Sequence, residues 1–488
     1  MPPSHDTPHI AWRAAAGAPS GAAPSIPPRA PPDTAPGGPS GAAPGVVPSR
    51  FPPDAAPDAP TDATPSIPAP IPPDAPAPVP PDAPAPIPPD APAPVPPDAP
   101  SGPPSAAPGV PPHITPILVA AAGLAALTAA AVAAQGPRGA IAAGLGAAAG
   151  AALWHARFGF GAAWRRMAED RRGAGLRAQM LLIGLICAAS FPLMAWGDAI
   201  GLPTRGVILP MGLASALGAA MFGAGMHIGG GCASGTLYAV GGGSARMAVT
   251  LAFFVAGSVW ATAHWDLWAS LPRTRAGVSL PQAIGTLPAL GAVLAGLGAI
   301  ALGSVWVERR AHGALAVPAP GAEFWRGPWS LTAGASALAL VGIGCFALLE
   351  RPWGVTAAFA LWGAKAAQAL GAAPEGWTYW TGWRAAQLSA PLAADATSVM
   401  NGAIMLGALG AAGAAGRRAR SWRLAPRDVA TAALGGLLMG YGARLAHGCN
   451  IGAYLGGLTS GSLHGLWWLV WAVAGYTLSL RAKAWLGR

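Results

Sequence analysis

The sequence predicts an all-α membrane protein with about ten transmembrane helices and additional re-entrant half-helices, arranged as two inverted repeats. Three observations predict this class. The chain is apolar, with 53% hydrophobic residues, 10% charged residues and a mean hydropathy of +0.43. Several apolar runs approach the roughly 20 residues that a helix needs to cross a bilayer. A motif of glycines around a cysteine occurs twice, at Cys232 and at Cys449, which indicates a duplication.

The first 112 residues differ from the rest of the chain in composition. They are mainly Pro, Ala, Asp and Gly, and the unit I/V-P-P-D-A-P-A-P recurs every eight residues between Ile71 and Pro100. Because proline fixes φ and lacks a backbone donor, we expect an extended polyproline II segment here. Such a segment cannot bury enough apolar surface to fold. We therefore predict a disordered tail over residues 1–112, without a cleavable signal peptide.

Charge is distributed unevenly along the chain. Residues 1–112 carry three Arg and nine Asp (net −6), whereas the other 376 residues carry 26 Lys and Arg against 10 Asp and Glu (net +16). The basic residues lie in short loops between apolar runs, which is typical of membrane orientation and argues against a nucleic-acid partner. The four cysteines form no CxxC motif, so we expect no disulfide framework, no metal site and no cofactor.

Ten apolar segments are candidate membrane spans. They cover residues 115–134, 139–156, 176–197, 207–228, 245–264, 284–306, 329–349, 398–415, 428–446 and 463–485. These segments divide the chain into five parts, which are the tail (1–112), an extra N-terminal helix (113–138), a first repeat (139–264), a connecting helix with its loops (265–328) and a second repeat (329–488).

Basic loops determine the predicted orientation. With ten alternating spans, four groups of basic residues fall on one side: Arg165 to Arg177, Arg309 with Arg310, Arg417 to Arg427, and Arg481 to Arg488. Because such loops stay in the cytoplasm, we predict that both termini are cytoplasmic. Four aromatic residues are interpreted as an interfacial belt, namely Trp377, Tyr379, Trp380 and Trp383.

The duplication extends beyond the cysteines. Aligned on Cys232 and Cys449, five glycine pairs coincide: Gly218 with Gly435, Gly223 with Gly440, Gly225 with Gly442, Gly231 with Gly448, and Gly235 with Gly452. Residues 156–163 also resemble residues 350–358. Each half then holds four spans, and one further span joins them. Because four spans return the chain to its starting side and a fifth inverts it, we expect oppositely oriented halves with a substrate site where broken helices meet.

Each cysteine follows clustered glycines that should break its helix. Irregular backbone at membrane depth survives only when it is buried in protein or lines a cavity. A helix that restarts there offers free N–H groups and a positive dipole end, which suit an anion, and the thiol adds a weak, polarizable donor. The pattern favours a small soft anion. The candidate substrate-binding residues at the two motifs are Gly231, Cys232, Ser234, Gly448, Cys449 and Asn450.

Two basic residues accompany the motifs. Arg444 is a charge within an apolar helix, and His227 occupies the equivalent position in the first half. A charge at membrane depth is functional by default, so both are candidates for attracting the anion. Alternatives remain open: Arg444 could extend to the membrane interface, and the glycines could serve helix packing alone. Cys187 and Cys345 are interpreted as small apolar fillers, and neither Cys/His motif offers enough ligands for a metal.

These residues resemble the YeeE/YedE family of inner-membrane sulfur-transport proteins. The resemblance covers about residues 139–485 and is carried by the Gly-Cys motifs together with the segments Arg157-Phe158-Gly159-Phe160, Pro352-Trp353-Gly354-Val355-Thr356, Leu361-Trp362-Gly363-Ala364-Lys365 and Asp395-Ala396-Thr397-Ser398-Val399-Met400-Asn401. It implies a multi-pass inner-membrane protein that takes up thiosulfate or a similar small sulfur anion. It also implies that the thiols of Cys232 and Cys449 pass the ion along a narrow path.

One position departs from the family. Members that carry thiosulfate commonly have a further cysteine where this chain has Gly159, and its role does not transfer to Cys187. Two alternatives to thiosulfate uptake therefore stay open. The same fold could carry a selenium species, or a persulfide that is delivered to a cytosolic sulfur-carrier protein. A membrane thiol redox protein would instead need the two motif cysteines within about 7 Å, Cα to Cα.

Overall fold

The computed structural model describes residues 111–316, 324–416 and 423–486. Within these ranges the regular structure is helical, and no β-strand occurs. The predicted tail lies outside the described residues except for its last two. Several of the arginines that were used to predict orientation also lie outside them, including Arg417, Arg418 and Arg420.

The first half of the helical region begins with an additional helix. Ten helices precede residue 313: α1 (Ile114–Gln135), α2 (Pro137–Ala156), α3 (Phe160–Glu169), α4 (Ala174–Trp196), α5 (Leu213–Gly229), α6 (Ala233–Gly241), α7 (Ala245–Ala263), α8 (Trp265–Ala269), α9 (Leu280–Ile284) and α10 (Thr286–His312). The short helices α3 and α6 interrupt the series of long ones. They are the elements that later position the site.

The second half repeats the alternation of long and short helices. It contains α11 (Leu331–Leu349), α12 (Thr356–Ala369), α13 (Trp383–Ser389), α14 (Ala396–Ala414), α15 (Pro426–Leu445), α16 (Gly456–Thr459) and α17 (His464–Leu486). A π-helical segment, Asn450–Leu455, runs directly into α16. Here α12 and the Asn450–Thr459 segment correspond to α3 and α6.

Nine helices within the described ranges are long and apolar enough to cross a membrane. The predicted class, an all-α membrane protein with multiple spans, is thereby confirmed. The tenth predicted span, 463–485, is helical as α17 but is not among the nine. Its mean hydropathy is lowered by His464, Arg481 and Lys483 and by four tryptophans.

One predicted span begins too early. Residues 207–212, which were placed in the span 207–228, are extended, and α5 begins at Leu213. The reason is a tertiary contact, because the backbone N–H of Val207 donates to Ser460 Oγ at 2.9 Å and that of Leu209 donates to Ser462 Oγ at 3.3 Å. The extended segment thus packs along the end of the second cysteine motif.

Glycines set the spacing of the central helices. A Cβ at Gly223 of α5 would collide with the carbonyl oxygen of Ala472 in α17, and a Cβ at Gly440 of α15 would collide with that of Phe254 in α7. Small residues allow this approach where no hydrophobic force drives membrane helices together. The two glycines are also partners in the sequence alignment, so the same contact between the halves occurs twice.

The contacts between helices also occur in equivalent pairs, related by exchanging the two halves. Helix α15 packs extensively on α7, as α5 packs on α17, and α14 packs on α2, as α11 packs on α4. The short helix α6 lies against α14, as α16 lies against α4. Exchanging each helix for its equivalent in the other half reproduces this set of contacts. Two related halves that pack face to face produce this pattern.

Candidate functional site

The first cysteine begins a short helix. Helix α5 ends at Gly229, Gly230 takes a positive φ of 77°, and Cys232 is the N-cap of α6. The backbone N–H of Gly235 donates to Cys232 Sγ at 3.4 Å, and Ser234 Oγ lies 3.6 Å from the same sulfur. Cys232 is only 2% exposed. Its sulfur therefore lies at the positive end of a helix, in the protein interior.

The helix break before the second cysteine is more pronounced than the break before the first. After α15, His447 has a φ of 59°, and a Cβ at Gly448 would lie 2.8 Å from the backbone nitrogen of Ala453, so this position requires glycine. Cys449 is fully buried, and its carbonyl oxygen accepts a hydrogen bond from Ala453 N at 2.8 Å. The π-helical turn that follows is a rare conformation that occurs frequently at functional sites.

The two thiols lie in one interior. Cys232 and Cys449 belong to the same cluster of buried hydrophobic residues. Both are free thiols. The chain leaves helical geometry at both motifs, as the glycine pattern predicts, and it places both sulfurs away from the lipid-facing surface.

Asn450 adds an unsatisfied polar group beside the second thiol. Its side chain is 1% exposed, and neither its Nδ2 nor its Oδ1 has a hydrogen-bond partner within the described part of the chain. Buried amides are nearly always hydrogen-bonded, so such a group needs an explanation. A ligand bound beside Cys449 would supply the missing partner.

Arg444 is a buried cation without a carboxylate partner. It is 7% exposed and donates to Tyr379 Oη at 2.9 Å and to Thr356 Oγ1 at 3.3 Å, while its Nε has no partner. None of the three ion pairs within residues 111–316, 324–416 and 423–486 involves it. A buried charge that is satisfied only by neutral hydroxyls is costly. A cation in this position lacks the carboxylate that usually accompanies a buried guanidinium.

Further positive charge lies near Arg444. His447 is within electrostatic reach of Arg444, Arg273 and Arg384. The Arg384 guanidinium lies over the Tyr379 ring, 4.5 Å from its centroid. Arg273 and His447 also line a cavity of about 30 Å³, which is the volume of about one water molecule. Three arginines, Arg273, Arg384 and Arg444, therefore lie at this end of the bundle.

Residues 155–478 match the protein family described as sulphur transport. The chain belongs to this family. The match covers about two thirds of the chain, including every helix from α3 to α16. The resemblance found in the sequence is thereby confirmed.

Two curated relatives are similar to part of this chain. A protein named "Probable transporter YedE" from Salmonella typhimurium strain LT2 is 30% identical over 161 residues, which is 31% of this chain and 38% of the relative. Its namesake from Escherichia coli strain K12 is 30% identical over 133 residues, which is 26% of this chain and 31% of the relative. The chain thus matches only about a third of each relative's length.

His227 lies elsewhere in this member of the family. Its Nδ1 is 2.9 Å from Ser479 Oγ, its ring packs on Tyr476 at 5.2 Å, and Lys483 and Arg165 lie within electrostatic reach. These contacts are with the distal part of α17 and with α3. The structure therefore groups His227 with a second set of cations and does not bring it to Arg444.

The aromatic belt interpretation is wrong for two residues. Tyr379 is 7% exposed and Trp380 is 2% exposed, and Trp380 Nε1 donates to Thr262 Oγ1 at 3.2 Å. Only Trp383, at 66%, has the exposure of an interfacial residue. The segment folds inward because Tyr379 Oη accepts the hydrogen bond of Arg444. Sequence reasoning missed Tyr379 because nothing local marks a residue that reaches the site from a loop.

Gly159 and the remaining cysteines complete the comparison with the family. Gly159 is the N-cap of α3, and a Cβ there would meet only the Ala162 side chain, at 3.8 Å. Cys345 of α11 is buried in the protein core, and Cys187 Sγ donates to the carbonyl oxygen of Leu458 at 3.8 Å. Both cysteines fill helix interfaces, in agreement with their interpretation as apolar fillers.

Proposed function

We propose that this protein transports thiosulfate, or a closely related small sulfur-containing anion, inward across the cell inner membrane. The ion would pass between the thiols of Cys232 and Cys449. The observation that carries the proposal is the presence of two buried thiols in one interior, each at the start of a re-entrant helix. Thiols donate weak hydrogen bonds that match a polarizable sulfur atom.

The charge of the site supports an anionic cargo. Arg444 contributes a buried cation with an unused donor, and Cys232 lies at a helix N-terminus. Both features stabilise negative charge. Asn450 supplies an amide that can bind oxygen atoms of the same ion. The proposed substrate-binding set is Gly231, Cys232, Ser234, Gly448, Cys449, Asn450 and Arg444, and His227 lies apart from it, beside Tyr476 and Ser479.

The inverted arrangement of the repeats is part of this proposal. Arg138, at the start of α2, pairs with Glu350 at the end of α11. At the other ends of these helices, Trp329 N donates to the carbonyl oxygen of His155 at 3.0 Å. The equivalent helices α2 and α11 thus run antiparallel, which supports inversion. In such folds the substrate binds between the repeats.

We propose facilitated diffusion as the mode of transport. Glu308 is the buried carboxylate of α10, and it is held by Arg172 and Arg177. A fixed ion pair of this kind does not carry protons through the membrane. Uptake into proteoliposomes should therefore persist when a protonophore removes the proton gradient, and loss of uptake would show proton coupling.

Uptake of radiolabelled thiosulfate by cells that express the full chain tests the central assignment. Cys232→Ala and Cys449→Ala should each abolish uptake while membrane levels of the protein stay unchanged. Cys345→Ala is the matched control, because it removes a buried thiol that belongs to neither Gly-Cys motif and should leave uptake intact. Normal uptake by both motif variants would refute the relay.

The alternative cargoes give different outcomes in the same system. Selenium oxyanions or persulfides that compete better than thiosulfate would identify another substrate, and persulfide transport would call for a cytosolic sulfur carrier as recipient. A stable Cys232–Cys449 disulfide formed by mild oxidation would favour a thiol redox protein. Thiosulfate uptake with two independent free thiols supports the transporter.

A further inference from the structure

An apolar cavity opens on the side of the bundle. It has a volume of about 250 Å³ and lies between α3, α4, α10 and α17. Its wall includes Trp164, Met180, Ile300 and Val473. Helix α10 is mostly exposed on the outside of the bundle, and Val473 is 39% exposed. The cavity is therefore accessible from the lipid phase.

Positive charge lies at one end of this cavity. Arg165 follows Trp164 in α3 and is within electrostatic reach of Tyr476, another wall residue. His227 packs on Tyr476 at 5.2 Å and lies 2.9 Å from Ser479 Oγ, one helical turn before Lys483. Arg165 and Lys483 both lie within electrostatic reach of His227, so the two cations lie near the same end of α17. Glu169 is the acidic residue near Tyr476. Two cations against one carboxylate leave this end positive.

We propose that the cavity holds one acyl chain of an anionic phospholipid, with the headgroup phosphate bound by Arg165 and Lys483. An acyl chain gains little by leaving the bilayer for an apolar wall, because both surroundings are equally apolar. The affinity must therefore come from the headgroup, and basic pockets between transmembrane helices bind anionic headgroups. A lipid with an anionic headgroup and a fatty chain fits both parts of the site.

A bound chain would also support the second thiol segment. Tyr454 lines the cavity and belongs to the π-helical turn that follows Cys449. Its ring stacks on Trp468 at 6.1 Å, and Trp468 Nε1 donates to the carbonyl oxygen of Gly448 at 3.3 Å. The lipid thus contacts the wall of the segment that carries Cys449. This consequence rests on the proposed function, whereas the binding itself does not.

Native mass spectrometry of the purified full-length chain tests the binding. Phosphatidylglycerol and phosphatidylcholine with identical acyl chains are added to delipidated protein, and the wild type should retain one phosphatidylglycerol in preference to phosphatidylcholine. Val473→Trp fills the cavity and should abolish this retention. Val470→Trp is the matched control, because Val470 is 63% exposed on the same helix and does not line the cavity; it should retain the lipid.

Two charge variants test the headgroup site independently of the cavity wall. Arg165→Gln and Lys483→Gln should each reduce the preference for phosphatidylglycerol by about fivefold, the effect of one basic residue near an anionic lipid. Equal retention by Val473→Trp and Val470→Trp, or equal retention of the two lipids by the wild type, would overturn the proposal. If the wild-type chain binds the lipid but takes up no thiosulfate, the proposed transport is refuted and the lipid site is not.

Discussion

Replacing Arg444 with glutamine removes a buried positive charge and leaves a side chain that can still bond to Tyr379 or Thr356. A hydrogen bond between this guanidinium and a bound anion would contribute about 1.5–3 kcal/mol. Loss of about 2 kcal/mol corresponds to about 30-fold weaker binding. We therefore expect the KM for thiosulfate to rise about 30-fold. Thermal stability should not fall, because an unpaired buried cation is itself destabilising.

Initial uptake rates in proteoliposomes, measured over a range of thiosulfate concentrations, give this KM. Scanning fluorimetry in detergent gives the Tm of the same preparation. Tyr379→Phe is the control, because it removes one hydrogen-bond partner and keeps the charge; its KM should change by less than about threefold. An unchanged KM together with a lowered Tm in the glutamine variant would show that Arg444 only stabilises the fold.

Three further changes test other parts of the structure. Gly440→Ala should destabilise the protein by about 1–3 kcal/mol through its clash with Phe254, whereas Gly291→Ala, which meets nothing within 4 Å, should leave Tm unchanged; equal Tm values would contradict the packing argument. Gly159→Cys should fold normally, because the new side chain has room, and it should raise the initial rate of thiosulfate uptake by adding a thiol at the family position. Gly159→Ser is the control, because serine has a similar size and no thiol. Equal uptake rates for the two variants would place Gly159 off the path of the ion. Sulfate should inhibit thiosulfate uptake in the wild type and inhibit it less in Arg444→Gln, because a guanidinium recognises charge and not sulfur; direct uptake of labelled sulfate at the thiosulfate rate would refute selection by the thiols.

The features that could be predicted from the sequence are those that depend on the spacing of nearby residues. Apolar runs of sufficient length gave the helices, and the glycines that precede Cys232 and Cys449 gave the two helix breaks, because glycine acts on the backbone at its own position. The position of Arg444 within an apolar segment likewise marked it as a candidate site residue.

The structural features that the sequence analysis did not predict depend on contacts between residues far apart in the chain. The inward position of Tyr379 depends on Arg444, which is 65 residues away in the chain. The late start of α5 depends on hydroxyls of Ser460 and Ser462, more than 250 residues away. The cavity beside Tyr454 combines four helices. No local pattern encodes any of these features.

The backbone-to-backbone contacts at Gly223 and Gly440 also limit how the molecule can move. Carriers that rock one half against the other need a layer of side chains that can exchange partners at the hinge surface. Here carbonyl groups meet glycines directly at equivalent places in both halves, so separating the central helices would break close backbone contacts. On the proposed transport function, opening for an ion is then expected in the short segments after Cys232 and Cys449, and the proposed passage should behave as a fixed pore with two small thiol-bearing gates.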